Sequence, residues 1–268
     1  MNARVLDVAS RTDPGLVRKV NEDAVGIDSG AGVVVLADGM AKRQGADVAS
    51  RLAVRALLER LAGDAARQAR ATASMRSAFD HADRAIGERI AREPALEGMG
   101  ATAIAVRFKE GQLQVGHVGD ARLYRLRGDR LERMTVDHSF LQAQLATGRV
   151  TADEARVSRS RHLVTRALGS GDQTHPDIAE HRVETGDLYL VCTDGLHELV
   201  DERDIGAALT ALDPNAQLAA ETLVTMANDR GGTDNVSVIV VKIGAPESEP
   251  PGEWGLGLFA RMRAWLAN

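Results

Sequence analysis

Residues 101–118 have the sequence ATAIAVRFKEGQLQVGHV, in which two segments rich in β-branched and apolar residues flank Gly111. Such segments on either side of a glycine are typical of two strands that are joined by a tight turn and pair in antiparallel fashion. Gly119 and Asp120 separate the second strand from a further strand-like segment at 122–127. We therefore expect this next pair to be antiparallel neighbours as well. Further segments of the same kind occur at 32–37, 187–192 and 235–243.

Helical periodicity lies between the strand-like segments. Apolar residues recur on one helical face at Met75, Phe79, Ala82, Ile86 and Ile90, and less regularly at Val48, Leu52, Ala56 and Leu61. Asp213-Pro214 predicts the N-cap and first position of a helix that extends towards Asn228. Thr151 and Glu154 predict a capping box. Early strands, two helices, hairpins and late helices form neither a βαβ series nor an all-β chain. We predict an α+β fold in which helices cover the sheets.

Bulk composition limits the class of protein. A chain of 268 residues is long enough for one large domain and a short appendage. Hydrophobic residues make up 44% but aromatic residues only 3%, so the core has to be built from Ala, Val and Leu. The net charge of −5 argues against nucleic acid as the main partner, because binding to a phosphate backbone needs clustered Lys and Arg.

The chain shows the features of a cytoplasmic protein. Its single cysteine, Cys192, excludes an intrachain disulfide and fits a reducing compartment. The first residues lack the apolar segment of a secretory signal, and no stretch has the apolar length that spans a bilayer. We therefore expect cytoplasmic localisation and no transmembrane segment.

The C-terminal part has a different character from the rest. We predict one domain at 1–244, a Pro/Glu-rich linker at 245–253 and an amphipathic tail at 254–268. Trp254, Leu258, Met262, Trp265 and Leu266 share one helical face of the tail. Two interpretations remain open. The tail either docks on a partner or a membrane surface, or packs back on its own domain.

Four aspartates occupy one kind of position in the sequence. Asp38, Asp120 and Asp194 each follow an apolar strand-like segment, and Asp234 directly precedes one. Carboxylates at strand ends can converge, and a following glycine lets backbone carbonyls approach a ligand. Oxygen ligands without Cys or paired His favour hard cations such as Mg²⁺ or Mn²⁺. Asp-Gly pairs are also ordinary turn sequences, so this pattern alone leaves both interpretations open.

Five ordered motifs resemble the type-2C (PPM) family of metal-dependent protein serine/threonine phosphatases. They are residues 18–23 (RKVNED), 37–40 (ADGM), 118–122 (VGDAR), 192–196 (CTDGL) and 232–235 (GTDN). Residues 137–139 (DHS) and 163–169 (LVTRALG) are similar to the bacterial branch of that family. The resemblance covers roughly residues 4–243, and several motifs in the family's order are far more specific than a lone glycine-rich loop.

The resemblance implies a four-layer α-β-β-α sandwich, in which two antiparallel sheets are flanked by helices, with a variable flap at about 140–175. It also implies hydrolysis of phosphoserine and phosphothreonine in proteins by a metal-bridging hydroxide on two Mn²⁺ or Mg²⁺ ions. Two cations about 4 Å apart lower the pKa of a bridging water and neutralise phosphoryl charge. The implied partners are phosphorylated proteins and an opposing serine/threonine kinase.

The resemblance also assigns roles to single residues. Asp38 would bridge the two cations, with the Gly39 carbonyl on one of them and Asp194 and Asp234 on the other. Asp120 would help to bind a third, weaker metal, and Asp194 would be shared with it. Arg18 would bind the substrate phosphate, because a guanidinium donates paired, charge-assisted hydrogen bonds. Glu22 and Asp23 would hold metal-bound waters.

One motif departs from the family. After Met40 the family continues with glycines and often a histidine, but this chain has Ala41, Lys42 and Arg43. We expect the turn to lose backbone freedom, because Ala and Lys are strained at positive φ. Arg43 cannot act as a proton donor at practical pH, so a metal-bound water would have to do so. Lys42 and Arg43 either line the cleft mouth, where they would favour acidic phosphopeptides, or are solvated loop charges.

Two functions follow from these observations. The first is an active metal-dependent phosphatase, which requires all four aspartates to be metal ligands. The alternative is a weakly active or inactive type-2C-like module that binds phosphoproteins. The altered sequence after Met40 is the only feature that favours the alternative.

Overall fold

Ten β-strands form two five-stranded antiparallel sheets within the part of the chain that the computed structural model describes, residues 4–63, 71–151, 154, 158, 160, 163–171, 174–213 and 215–246. The first sheet has the strand order β1 (Arg4–Asp13), β10 (Val236–Pro246), β9 (Leu188–Cys192), β6 (Arg122–Arg127) and β7 (Arg130–Arg133). The second has the order β2 (Asp23–Asp28), β3 (Val33–Ala41), β4 (Met99–Lys109), β5 (Gln112–Val118) and β8 (Asp177–Arg182).

Helices cover the outer face of each sheet. The second sheet is covered by the two long helices α1 (Ala46–Ala62) and α2 (Ala71–Arg92). The first sheet is covered by the helices α4 (Asp194–His197), α5 (Glu202–Leu212) and α6 (Ala216–Asp229). A short helix α3 (Phe140–Ala146) lies in the connection between β7 and β8, and a 3₁₀ turn (Pro94–Leu96) precedes β4.

The alternation of side chains along each strand produces three apolar layers. On β3, Val33, Val35 and Ala37 face the helices α1 and α2. Val34 and Leu36 face the opposite sheet and belong to one apolar cluster with residues of its strands β6, β9 and β10. Because both faces of the strand are buried, its sequence is continuously apolar instead of alternating. The four-layer α-β-β-α architecture predicted from the sequence is thus confirmed.

The strand predictions were right in position and wrong in one pairing. The predicted hairpin across Gly111 is present, since β4 and β5 pair in antiparallel register from Ala103 opposite Val118 to Lys109 opposite Gln112. The expected pairing of β5 with β6 is wrong. These strands belong to different sheets, and β6 pairs with β7 and β9 instead. The short connection through Gly119, which has φ 103°, passes from one sheet to the other.

Four strands did not stand out in the sequence, namely β1, β2, β7 and β8. Each lies at the edge of a sheet. An edge strand has one partner, so its sequence can be polar and carries a weak strand signal. On β8 only half-buried and exposed side chains occur.

One helix start also differs from the prediction. Asp213 caps the C-terminal end of α5, and Asn215 is the N-cap of α6, where its side chain accepts a hydrogen bond from Leu218 N at 2.9 Å. The predicted face of α2 is confirmed, with Met75 and Phe79 fully buried. The predicted capping box is present, since Thr151 N donates to Glu154 Oε2 at 2.8 Å and Glu154 N donates to Thr151 Oγ1 at 3.3 Å.

The predicted boundary between the domain and the linker lies at residue 245, close to the end of the last strand. Strand β10 continues to Pro246, two residues into the segment that we assign to the linker. The amphipathic tail at 254–268 lies outside the described residues, so its role remains a prediction. Among the helices that the structure describes, none is long and apolar enough to cross a membrane.

Two glycines near the packing of α2 on the second sheet make opposite predictions for stability. A Cβ at Gly116 on β5 would lie 2.6 Å from Met75 Cγ and 2.8 Å from Phe79 Cε2, so Gly116→Ala should destabilise the protein by about 1–3 kcal/mol. Gly87 lies in α2, and a Cβ added there would have no atom within 4 Å, so Gly87→Ala should stabilise the protein by about 0.5–1 kcal/mol. Chemical denaturation measures both changes. Equal effects of the two substitutions would contradict this packing.

Candidate metal centre

Five aspartates from both sheets converge at one end of the sandwich. Asp23 and Asp38 lie directly opposite each other on the neighbouring strands β2 and β3. The carboxylate of Asp38 interacts electrostatically with those of Asp23, Asp194, Asp120 and Asp234. These residues are up to 211 positions apart, which is the distance from Asp23 to Asp234 in the sequence. Only the fold brings their charges together.

Three of the four aspartates that are predicted as metal ligands lie just beyond strand ends, and one does not. Asp120 follows β5, Asp194 follows β9 and Asp234 precedes β10, each by two positions. Asp38 was also expected at a strand end, but β3 continues past it to Ala41. The backbone of Asp38 is therefore fixed by strand pairing on both sides, with Asp23 opposite on β2 and Thr102 opposite on β4.

Two glycines allow the backbone to pack closely beside these carboxylates. A Cβ on Gly39 would collide with the carbonyl oxygen of Ala46 in α1, while Gly39 N donates to Glu22 O at 3.1 Å. A Cβ on Gly195 would collide with the carbonyl oxygen of Asn235. The second contact brings the start of α4, which carries Asp194, against the segment that carries Asp234. Glycine is thus required at both positions because of the space available.

Thr193 links the two sheets at the centre. Its Oγ1 donates to Asp23 Oδ2 at 3.1 Å and accepts a hydrogen bond from Ser237 N at 3.0 Å. Its own N–H donates to Ser237 O at 3.1 Å. One side chain therefore connects β9 and β10 of the first sheet with β2 of the second.

Asn235 organises the loop that carries the predicted phosphate-binding arginine. Its Nδ2 donates to Pro14 O at 2.9 Å and to Val20 O at 3.0 Å, and its Oδ1 accepts from Glu22 N at 2.8 Å. The sequence motif contained Asn235 and Thr193, but no role was assigned to either. Their position directly beside the motif aspartates was the available signal.

Arg18 lies at the centre, but its first partner is a predicted metal ligand. Its Nη2 donates to Asp234 Oδ2 at 2.8 Å, while Asp234 Oδ1 accepts from Asn235 N at 2.8 Å. Half of the Arg18 side chain is exposed, so further guanidinium donors can reach a ligand in the cleft. Glu22 is nearby, and burial raises the pKa of its carboxyl group against the opposing effect of Arg18.

The carboxylates carry more negative charge than the surrounding protein compensates. Burial, reinforced by the neighbouring carboxylates, raises the pKa of Asp23 to about 7, of Asp120 to about 8 and of Asp194 to about 6, and raises that of Asp38 well above its usual range. Among the described residues, the buried Oδ1 of Asp23 finds no hydrogen-bond partner. An all-oxygen site with excess negative charge fits divalent Mg²⁺ or Mn²⁺.

The segment after Met40 does not contain the strained turn that its sequence predicted. Strand β3 extends through Ala41, and none of residues 41–43 has a positive φ. The first positive φ after the strand is at Gly45, with φ 99°, at the N-cap of α1. Lys42 and Arg43 are exposed, and the stem of Lys42 packs over Gly98. The predicted loss of backbone freedom is therefore wrong.

The adjacent residues Asp137, His138 and Ser139 bind three different partners. Asp137 pairs with Arg122 at 2.7 Å, and Ser139 caps α3 by accepting from Gln142 N at 3.1 Å. His138 Nδ1 accepts from Gly119 N at 3.2 Å, so its Nε2 carries the proton and lies 3.2 Å from Asp177 Oδ2.

His117, His138 and Asp177 form a cluster. These residues are so far apart in the sequence that their spacing did not indicate it. The imidazole rings stack at 4.6 Å, and His117 Nε2 lies 2.9 Å from Val136 O. Arg166 Nη1 lies 2.8 Å from Asp177 and 3.2 Å from His138 Nε2. Nδ1 of His138 already accepts a hydrogen bond, and its Nε2 lies beside the positively charged Arg166. The cluster therefore fits a hydrogen-bonded support for Gly119 better than a site for a cation.

A cavity of about 480 Å³ opens beside Asp120. Its wall includes Arg122 and Asp137, Leu141 and Leu145 of α3, and His197 of α4. His197 Nε2 lies 3.1 Å from Asp120 O, and burial lowers the pKa of its ring to about 3, so the neutral ring donates this bond. The predicted flap thus borders the site through its first helix.

Comparison with known proteins agrees with this arrangement. The family model described as Protein phosphatase 2C matches residues 17–230. The serine/threonine protein phosphatase PstP of Mycobacterium tuberculosis is 37% identical over 243 residues, which cover 89% of this chain and 45% of that protein. The serine/threonine phosphatase stp of Listeria monocytogenes is 31% identical over 242 residues, which cover 87% of this chain and 94% of that protein.

A solved structure gives the same result. The crystal structure of the catalytic domain of PstP in complex with two manganese ions superimposes with a TM-score of 0.81 at 35% identity, covering 91% of this chain and all of that one. This chain spans about half the length of full PstP, whereas it matches nearly the whole of the Listeria relative. The family match, the shared fold and the cluster of carboxylates agree, and the chain belongs to the protein phosphatase 2C family.

Proposed function

We propose that the chain is a metal-dependent phosphatase that hydrolyses phosphoserine and phosphothreonine in proteins. The observation that supports this most directly is the convergence of Asp38, Asp194 and Asp234 beside Arg18, which combines a site for hard cations with a donor for phosphate. The manganese ions reported for the PstP catalytic domain support the choice of metal. In this proposal two Mn²⁺ or Mg²⁺ ions are used, and a third is held by Asp120 and Asp194.

Each residue has a defined task in the proposed site. Asp38, the carbonyl of Gly39, Asp194 and Asp234 hold the two cations. When bound, the ions neutralise charge on the phosphoryl oxygens and lower the pKa of bound water. Glu22 and Asp23 accept hydrogen bonds from water around the ions, and the unpartnered Oδ1 of Asp23 is suited to that role.

Arg18 orients the substrate. It is held by Asp234 through Nη2 and keeps other N–H groups for the phosphate oxygens. We infer direct hydrolysis without a phosphoenzyme. The single thiol, Cys192, is fully buried in the apolar layer below the helices α5 and α6, so it is not available as a nucleophile.

The partners in this proposal are phosphorylated proteins and the serine/threonine kinase that phosphorylates them. The relatives named as serine/threonine phosphatases support this class of substrate. We place the reaction in the cytoplasm, where a reduced thiol such as Cys192 is stable. The inactive phosphoprotein-binding module has lost its only support, since β3 continues without strain through Ala41.

Removing one proposed metal ligand should abolish most of the activity. With excess Mn²⁺, Asp194→Asn should lower kcat/KM on a phosphothreonine peptide by at least about a hundredfold, because the ions neutralise the charge of the transition state. Calorimetric titration should show weaker Mn²⁺ binding. The exposed turn residue Asp129 is the matched control, and Asp129→Asn should leave both values unchanged. Activity of native protein that persists in EDTA would overturn the proposed mechanism.

Metal binding should also be visible in stability. In EDTA, Asp38→Asn should raise the melting temperature, by an amount that corresponds to about 1 kcal/mol, because it removes one of several repelling carboxylates. Mn²⁺ at a hundredfold excess over its Kd should stabilise the native protein by about 2.7 kcal/mol and the variant by less. Differential scanning calorimetry measures both changes. A variant that is less stable than native in EDTA and equally stabilised by Mn²⁺ would exclude Asp38 as a ligand.

Arg18 should affect substrate and metal differently. Arg18→Ala should lower kcat/KM for phosphopeptides by about 10- to 100-fold through the loss of charge-assisted hydrogen bonds. Mn²⁺ affinity should stay the same or increase, because Asp234 loses a competing cation. Arg92, at the exposed end of α2, provides the control substitution Arg92→Ala. If Arg18→Ala weakened Mn²⁺ binding and left kcat/KM intact, the phosphate-binding role would be excluded.

A further inference from the structure

Large apolar side chains are exposed directly around Arg18. Leu16 is 69% exposed, Val17 is 64% exposed and Val20 is 58% exposed. In the described parts of the chain the other exposed large hydrophobic residues are Val136, Phe140, Leu163 and Leu218. Three of these seven side chains thus fall within five consecutive positions. We name Leu16, Val17 and Val20 together the apolar shelf.

The shelf belongs to a loop that the rest of the protein holds firmly. Leu16 N and Val17 N both donate to Gly232 O, at 2.8 and 3.3 Å. The carbonyls of Pro14, two residues before the shelf, and of Val20, its last residue, both accept from Asn235 Nδ2. A Cβ on Gly15, which has φ 77°, would collide with the carbonyl oxygen of Asp234. The apolar side chains are therefore presented by a fixed backbone, and their exposure is not the result of a loosely attached loop.

We propose that the apolar shelf binds an apolar side chain next to the phosphorylated residue of a protein substrate. This inference rests on the proposed function and specifies its substrate class. Charge complementarity argues for this occupant, because the half-exposed, cationic Arg18 lies between Val17 and Val20 in the sequence and matches a phosphate dianion. In such a substrate the phosphate would contact Arg18, and the apolar side chains beside it would contact the apolar shelf.

The dimensions of the shelf agree with those of such a segment. Consecutive Cα atoms are about 3.8 Å apart, so the Cα of Val17 lies at that distance from Arg18, and those of Leu16 and Val20 lie at most about 7.6 Å away. The residues that flank a phosphorylated residue in a peptide are separated from it by the same spacings. Leu16 and Val17 thus precede Arg18 directly and Val20 follows it after Lys19, so apolar side chains lie within two positions of the guanidinium on both sides.

The proposed contact predicts a sequence preference of the enzyme. Two phosphothreonine peptides should be compared that differ only in the residues on both sides of the phosphothreonine, with Leu in one and the isosteric Asn in the other. We expect kcat/KM of the Mn²⁺-loaded native protein to be about tenfold higher for the Leu peptide. That factor corresponds to the removal of about 55 Å² of apolar surface from water.

Variants locate this preference on the shelf. The combined substitutions Leu16→Asn, Val17→Thr and Val20→Thr should bring the ratio of the two kcat/KM values close to one. Leu218 is exposed near the start of α6, and Leu218→Asn should keep the native ratio. If the triple variant does not melt cooperatively, the single variants Leu16→Asn and Val17→Thr replace it, each with a partial loss of preference.

The outcomes separate the two proposals. If the native protein hydrolyses neither peptide, the proposed function fails and the shelf fails with it. If it hydrolyses both peptides with equal kcat/KM, the proposed function stands and the shelf is excluded. A native preference for Leu that survives in the triple variant would also exclude the shelf, because the preference would then arise elsewhere.

Discussion

Mutual repulsion among aspartates at the junction of two sheets is the constraint on which the structure of this site depends. Asp23 and Asp38 come from one sheet, Asp194 and Asp234 from the ends of strands in the other, and Asp120 from the connection between them. A folded chain gains nothing from such an arrangement by itself, because each buried carboxylate raises the pKa of its neighbours. A pair of divalent cations held by these residues would turn the repulsion into attraction. Metal binding would thus restore the stability that the repulsion costs.

Neutral groups hold the charged ones in place. Thr193 connects the two sheets through its single hydroxyl, and Asn235 satisfies three backbone groups of the loop and strand around Arg18. Gly39 and Gly195 permit contacts that any Cβ would prevent. These residues add no charge, so they can fix the aspartates without competing with a cation. The loop that Asn235 holds presents both Arg18 and the apolar shelf.

The two sides of the centre are built differently. On one side, backbone groups of the loop at 14–22 are hydrogen-bonded to the carbonyl of Gly232 and to the side-chain amide of Asn235. On the other side, Asp137, His138 and Ser139 directly precede the flap, and their side chains bind Arg122, Gly119 and the N-terminus of α3. The cavity beside Asp120 is lined by residues of this second side, among them Asp137 and Ser139. The loop around Arg18 and the start of the flap therefore border the centre from two sides.

The sequence alone determined the class of fold and the identity of the acidic residues. Continuous apolar segments such as 101–106 specify strands buried on both faces, and the helical face from Met75 to Ile86 specifies α2, because local periodicity reflects burial. The ordered Asp-containing motifs identified the residues of the centre. Only the tertiary structure decided that β5 and β6 belong to different sheets, because a short connection through a glycine at positive φ serves a hairpin and a crossing between sheets equally well. The tertiary structure likewise decided the hydrogen bonds of Asn235, the cluster of His117 with His138 and Asp177, and the exposure of the apolar shelf. These features depend on contacts between residues far apart in the chain, and no local pattern encodes such contacts.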